Sequence, residues 1–283
     1  MGYELQRVEP DPVAARGRHP TPMPPAIDPI WPLPRGAEGG ASDAEIRAQF
    51  ERFEHWHYAF AFEGGLSFAA HHRGSAELTD LPERPLQRFR HFMPWLLDAE
   101  AGTLEGKRVL DIGCNSGFWS IQCALLGAEV VGFDARSELI EQAELVRSIV
   151  GVDNARFEVL DFWDMSPESL GGTFDIVLNL GLLYHLAKPL EALERTRSMA
   201  RRLVLLDTGV YRSANPTIHV RWEEPFDIRM AHAAGIVATP SKRSVELMLR
   251  HLGCADWLEL PIRSRDMPAD YLRGGRASWL IRV

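Results

Sequence analysis

The sequence predicts an α/β fold built on a doubly wound sheet, and three observations carry that expectation. Lys107 to Ser120 reads K-R-V-L-D-I-G-C-N-S-G-F-W-S: a short apolar run, an acid, a loop with Gly113 and Gly117, and then apolar residues at near-helical spacing. That order is a buried strand, a tight turn and a helix start, the opening unit of such a sheet. Strands and helices then alternate to Val210, and two short strands, Cys254–Ile262 and Ala277–Val283, end the chain.

Composition narrows the class. The 283 residues are 46% hydrophobic and 25% charged, as in a globular protein with a sizeable core. No apolar run approaches the roughly 20 residues that cross a bilayer. Acids and prolines stand where a signal peptide would be apolar, so no membrane partner is expected. Cys114, Cys123 and Cys254 are odd in number and share no metal-like spacing, which points to a reduced, cytoplasmic setting. A formal charge of -8 disfavours a broad nucleic-acid groove.

Along the chain, residues 1–40 hold nine prolines and no periodicity. Proline removes donors and fixes φ, so this is an extended arm, lying on the domain or reaching a second copy in a homodimer. Residues 41–81 form a cap or lid segment. Ser42-Asp43 caps a helix through Ile46, Phe50 and Phe53, followed by Trp56, Tyr58, Phe60, Phe62 and Phe68. Such aromatics either roof a pocket or make the core of a helical cap. His55, His57, His71 and His72 are interleaved, but no acid or cysteine completes a ligand set, and no metal is expected.

From residue 82 the main domain begins with an amphipathic helix to Glu100, whose Arg84, Arg88 and Arg90 read as a solvated face. Ala128–Asp134 is a second strand ending in an acid, about 20 residues past the glycine turn, where a carboxylate can meet ribose hydroxyls. Arg156–Asp161 is a third, again closed by an acid, and Phe174–Gly181 a nearly all-apolar fourth. Leu182-Leu-Tyr-His-Leu186 follows it, and Arg202–Val210 is the fifth. Residues 211–240 read as an irregular substrate-side insertion, too long for an ordinary connection.

The opening turn separates two ligand classes. A dinucleotide fingerprint, G-x-G-x-x-G, sets amides and a helix dipole against a pyrophosphate. Here an anion, Asp111, holds the first position, and the glycines fit D-x-G-x-x-x-G. A carboxylate facing the cleft would repel a pyrophosphate and suit a cationic ligand. The pattern resembles motif I of the class I S-adenosylmethionine (SAM) methyltransferases, with Asn115 at the usual middle glycine; Asn tolerates left-handed φ. The resemblance covers residue 82 to the C-terminus. It implies a Rossmann-like, seven-stranded methyltransferase sheet, SAM as cofactor, and a binding set of Asp111, Gly113, Cys114, Asn115, Gly117, Asp134, Ala135, Asp161, Phe162, Asn179 and Gly181. In that family the acid at Asp161 accepts from the adenine amine and Phe162 covers the ring.

More narrowly, N-L-G-L-L-Y-H-L at Asn179–Leu186 and I-V-A-T-P-S at Ile236–Ser241 are similar to the branch that includes the tRNA wobble-uridine carboxymethyltransferase. That enzyme holds a carboxylated SAM with a lysine in an N-terminal segment; His57–Gly65 has none, so ordinary SAM is expected. His185, with a pKa naturally near neutrality, is the candidate base, and Tyr184 the candidate acceptor-orienting group. Both residues also suit a plain helix cap. Arg221 and Glu223 are second-tier substrate contacts. The expected activity is O- or N-methylation of a small-molecule acceptor. The alternatives are a tRNA-modifying transferase, with Arg195, Arg197, Arg201 and Arg202 or Arg263, Arg265, Arg273 and Arg276 as its basic patch, and a non-catalytic SAM-binding protein.

Overall fold

The computed structural model describes residues 23–36, 40–72, 83–226, 230–254, 256–262 and 264–283. Seven strands make the central sheet: β1 (Arg108–Ile112), β2 (Glu129–Asp134), β3 (Ala155–Val159), β4 (Phe174–Leu180), β5 (Ala200–Gly209), β6 (Asp256–Glu259) and β7 (Arg276–Arg282). Their order is β6-β7-β5-β4-β1-β2-β3. β1 to β5 are parallel, and β7 enters antiparallel between β5 and β6. The strand order reverses between β1 and β4, which opens a crevice beyond their carboxyl ends.

The helices are α1 (Asp43–Glu51), α2 (Arg84–Ala99), α3 (Phe118–Leu125), α4 (Ser137–Val150), α5 (Pro189–Ser198), α6 (Lys242–His251) and α7 (Ala269–Leu272). Alternation along the strands feeds two buried layers. Val109, Val130, Ile176, Leu178, Leu203 and Leu205 join the core under α2, α3 and α4. Leu110, Val131, Val177, Val204 and Leu206 join the one under α5 and α6. Local signals set the helix starts. Ser42 accepts from the Glu45 amide (3.3 Å) while the Glu45 carboxylate accepts from the Ser42 amide (2.7 Å), and Ser241 caps α6 by accepting from Ser244 N (3.3 Å).

Of the proline-rich arm, residues 1–22 and 37–39 lie outside the described residues. Residues 23–36 lie on the domain: Ile30 exchanges two hydrogen bonds with the Gln122 side chain (3.0 and 2.9 Å), and Leu33 N donates to Ala61 O (2.8 Å). In the cap segment, His55–Trp56 pairs with His71–His72 and Phe60–Phe62 with Leu66–Phe68. Phe50 stacks between Trp56 and Phe68, with centroids at 4.2 and 3.6 Å, and Trp56, Phe60 and Phe62 are buried. The aromatics are therefore mainly core, and His57 and Tyr58 are the members of this segment that reach the cavity described below.

Residues 211–240 correct the irregular reading. Ile218–Glu223 and Gly235–Pro240 form an antiparallel hairpin; residues 227–229, including Arg229, lie outside the described set. The period-two signal was present in Ile218-His-Val-Arg-Trp-Glu223, where apolar and polar residues alternate. No described helix is long and apolar enough to cross a membrane.

Candidate active site

A cavity of about 320 Å³ sits over the carboxyl ends of β1, β2 and β4, within the size range of small-molecule sites. The β1–α3 loop forms its floor. Gly113 and Gly117 take left-handed φ of 65° and 81°, and Asn115 does so at 52°, its Oδ1 accepting from Ser116 N at 2.8 Å. The missing middle glycine thus costs the loop nothing in shape, because Asn brings its own local hydrogen bond to the strained position.

Asp111, expected to face the cleft, is placed elsewhere. It is buried beneath the loop, absent from the cavity wall, and accepts from Ser120 Oγ at 2.7 Å. Burial pushes its carboxyl up to about 6, against the Ser120 hydrogen bonds. Four amides of the loop have protein acceptors: Cys114 N donates to Phe133 O (2.9 Å), Asn115 N to Asp134 Oδ2 (3.2 Å), Ser116 N to Asn115 Oδ1 and Gly117 N to Cys114 O (3.0 Å).

The remaining acids do meet at the cavity. Asp134, ending β2, accepts from Asn115 N and Arg136 N (3.1 Å); burial raises its carboxyl, and these amides oppose the rise. Asp161 begins a short turn over Phe162–Asp164, accepting from Trp163 N at 2.7 Å and pairing with His232 Nε2 at 3.2 Å. Gly113, Asn115, Ala135, Phe162 and Gly181 line the same cavity. Cys114, Gly117 and Asn179 do not. Cys114 is buried, which pushes its thiol well up. A Cβ on Gly117 would stand 3.0 Å from Ala143 and Phe157, so that glycine serves packing. Asn179 is buried on β4 and donates to Thr196 Oγ1 at 3.1 Å.

The opposite wall is built by the turn after β4. Tyr184 lies under the Arg276 guanidinium, 5.2 Å from its ring centroid, and over Gly209, where a Cβ would come within 3.2 Å of the ring. His185 Nδ1 meets Glu223 Oε2 at 2.5 Å. Burial lowers the His185 pKa, and the bond to Glu223 resists that, so the ring is neutral near pH 7. The Glu223 carboxylate also accepts from Ala231 N (2.8 Å) and pairs with Arg221 (2.6 Å), which outweigh its burial and hold its pKa low.

Behind this wall is a charge cluster that corrects the solvated-face reading of α2 for Arg84 and Arg88, while Arg90 is exposed as expected. Arg88 is 3% exposed and donates to Asp207 Oδ2 (2.7 Å), Leu180 O (3.3 Å) and Tyr271 Oη (3.0 Å). Arg276 Nε donates to Asp207 (2.8 Å), as do Tyr271 Oη and Ser278 Oγ (both 2.9 Å). Arg84 forks onto Asp270 (3.1 and 2.5 Å). Burial would raise the Asp207 carboxyl, but the Arg276 and Arg88 guanidinium groups overcome it and hold it at about 2. The lysine-free His57–Gly65 segment therefore faces a cavity that has arginines, supplied by α2 and β7. Arg88 carried a readable signal: it falls four residues before Phe92 on the apolar stripe, as Asp207 falls in an apolar strand. Arg136, Trp163, Leu182, Met230 and His232 also line the cavity without a sequence signal that marks them.

Comparison with known proteins agrees with this geometry. A tRNA U34 carboxymethyltransferase of Helicobacter hepaticus is 29% identical over 133 residues, 44% of this chain and 42% of that protein. A ubiquinone biosynthesis O-methyltransferase of Cereibacter sphaeroides is 38% identical over 100 residues, 34% of this chain and 38% of that one. The chain thus spans less than half the length of these curated relatives. The N-terminal domain of EvdMO1, crystallised with S-adenosylhomocysteine (SAH), shares the fold with a TM-score of 0.66 at 23% identity, covering 88% of this chain and 98% of that one. The methyltransferase-domain family model matches residues 83–259, well over half of the chain, and the chain therefore belongs to that family.

Proposed function

We propose that the chain methylates a small-molecule acceptor on oxygen or nitrogen, with SAM held over β1 and β2 and the acceptor beside Tyr184 and His185. One observation carries the reading: a single cavity joins Asp134 and Asp161 to His185, which Glu223 holds from behind. The residues fit the cofactor. Asp134 is placed to accept from ribose hydroxyls, Asp161 and Phe162 to meet adenine, and Gly113 leaves its nearest neighbour, Leu182, 3.7 Å from where a Cβ would be.

When bound, SAM supplies a methyl group on a sulfonium that departs as a neutral thioether, so activation of the leaving group asks little of the protein. The chain's own task is alignment, worth up to about 7–11 kcal/mol in favourable cases. His57 and Tyr58 from the cap segment line the cavity with Met230, Ala231 and His232 from the 211–240 insertion, and His232 pairs there with Asp161. A tRNA acceptor has the similarity to the U34 enzyme in its favour, and three of its expected arginines are engaged elsewhere. Arg202 is paired with Glu100, Arg195 is bonded to the Trp163 and Met165 carbonyls, and Arg276 is buried, while Arg201, Arg265 and Arg273 are exposed and Arg263 lies outside the described residues.

Calorimetric titration with SAM and with NAD tests the cofactor half; SAM is expected to bind at least tenfold tighter, and equal or weaker binding overturns the reading. Incubation with labelled SAM and either extracted small molecules or bulk tRNA tests the acceptor half. Label is expected in the small-molecule fraction, and salt-sensitive labelling of tRNA alone would replace that acceptor class.

A further inference from the structure

We infer that Glu223 is the positioning residue of a histidine base: it holds His185 with the ring proton on Nδ1, so that Nε2 is the proton acceptor at the cavity wall. This rests on the methyl-transfer reading above and adds the acceptor's chemistry to it, a hydroxyl.

The geometry leaves little freedom. Glu223 is 4% exposed, yet three donors converge on its carboxylate: His185 Nδ1 at 2.5 Å, Ala231 N at 2.8 Å and Arg221 Nη1 at 2.6 Å. The amide and the guanidinium both donate to it and hold its pKa low, so the carboxylate is ionised and accepts at every contact. An ionised carboxylate forces the facing Nδ1 to be the donor. A neutral ring with its proton on Nδ1 has a lone pair on Nε2, the state a general base requires. His185 is delivered by the turn after β4, and Glu223 with Arg221 by the first strand of the hairpin. The base is therefore assembled only when the hairpin is seated.

The other charged groups near His185 are Arg276 from β7 and the His232–Asp161 pair elsewhere on the cavity wall, and the Tyr184 ring lies tilted beside His185 at 4.0 Å. None of these offers Nδ1 a second acceptor. An amine that is unprotonated at neutral pH attacks through a lone pair it already has, whereas a hydroxyl gains strength as a nucleophile by losing its proton. In the step, the O–H proton moves to Nε2, its electron pair stays on oxygen for the new bond to the methyl carbon, and the imidazolium returns the proton to solvent.

The test reads His185 directly, by nitrogen-15 NMR of the imidazole across a pH titration of the full chain. In the parent the Nδ1–H tautomer is expected. Glu223→Gln should lower the His185 pKa and shift the tautomer balance toward Nε2–H. Arg221→Met, at a half-exposed side chain, should raise the pKa by removing a nearby cation. Opposite shifts in the two variants are not produced by a merely structural role. If Glu223→Gln does not fold, the parent tautomer and the Arg221→Met shift still decide. An Nε2–H tautomer in the parent, or an Arg221→Met pKa unchanged or lowered, overturns the inference. SAM titration of the same samples separates the readings: loss of SAM binding in the parent defeats the cofactor assignment and leaves the NMR result standing. An acceptor found to be methylated on nitrogen would overturn the hydroxyl assignment.

Discussion

The two ends of the cavity are built in different ways. The end over β1 to β3 is mostly local: Gly113, Asn115, Asp134 and Asp161 sit at or just past the ends of consecutive strands and are held by backbone of the neighbouring turns, with the His232 pair of Asp161 as a distant contact. The end near β4, β5 and β7 is assembled from afar. Arg88 meets Asp207 across 119 positions, Arg276 meets it across 69, and His185 meets Glu223 across 38. Both ends bury carboxylates, but partners, not burial, decide their state. Asp111, with one hydroxyl for company, is pushed up to about 6, while Asp207, between two guanidinium groups, is held at about 2.

The strongest way to break that contrast is Asp207→Asn. It leaves the Arg88 and Arg276 cations buried without a counter-charge, and a loss of about 3–5 kcal/mol is expected in urea unfolding. A loss below about 1 kcal/mol would mean that the guanidinium groups find other partners. The pH sign follows from the same residue. Its folded pKa lies below the unfolded value of about 3.9, so its stabilisation is complete above that pH and drains away as the pH falls toward 2.

Asp134→Ala sharpens the other end. Removing an acceptor for two ribose hydroxyls should weaken SAM binding by about 10- to 100-fold in calorimetry, at about 1.5–3 kcal/mol for charge-assisted hydrogen bonds, and should lower the melting temperature too, since Asn115 N and Arg136 N lose their acceptor. Unchanged affinity would remove Asp134 from the cofactor set. The smallest expected effect, and opposite in sign, is Asp111→Asn. A carboxyl raised to about 6 stabilises the fold less as pH rises through that value, so the neutral amide should gain about 1–2 kcal/mol at pH 8 and almost nothing at pH 4. A loss of stability at pH 8 would show that the charge is needed where it sits.

The same division explains what could be read in advance. The sheet, its closing antiparallel strand and the acids after β2 and β3 repeat at fixed distances from a strand end, and periodicity finds such features. Asp111 was legible as an acid in a strand–turn unit, but its direction was not: successive side chains on a strand point to opposite faces, and one residue of register separates the cavity from the layer below. Glu223 and the arginine cluster depend on contacts between distant segments, to which local pattern is blind. The two that did carry a trace, Arg88 and Asp207, stand as lone charges among apolar neighbours, and a buried charge calls for a partner of opposite sign.

Ile30 and Gln122 carry a consequence for how the polypeptide can be trimmed. The glutamine amide is sealed from water, and both its oxygen and its nitrogen are answered by one backbone residue of the leading segment. Leu33, 1% exposed, is wedged in beside it as part of the interior. A truncated version starting at residue 40 would strip away that plug, leaving an orphaned donor and acceptor in a greasy hole. What reads as a dispensable leader is a ply of the wall, and cutting it should cost solubility before it costs chemistry.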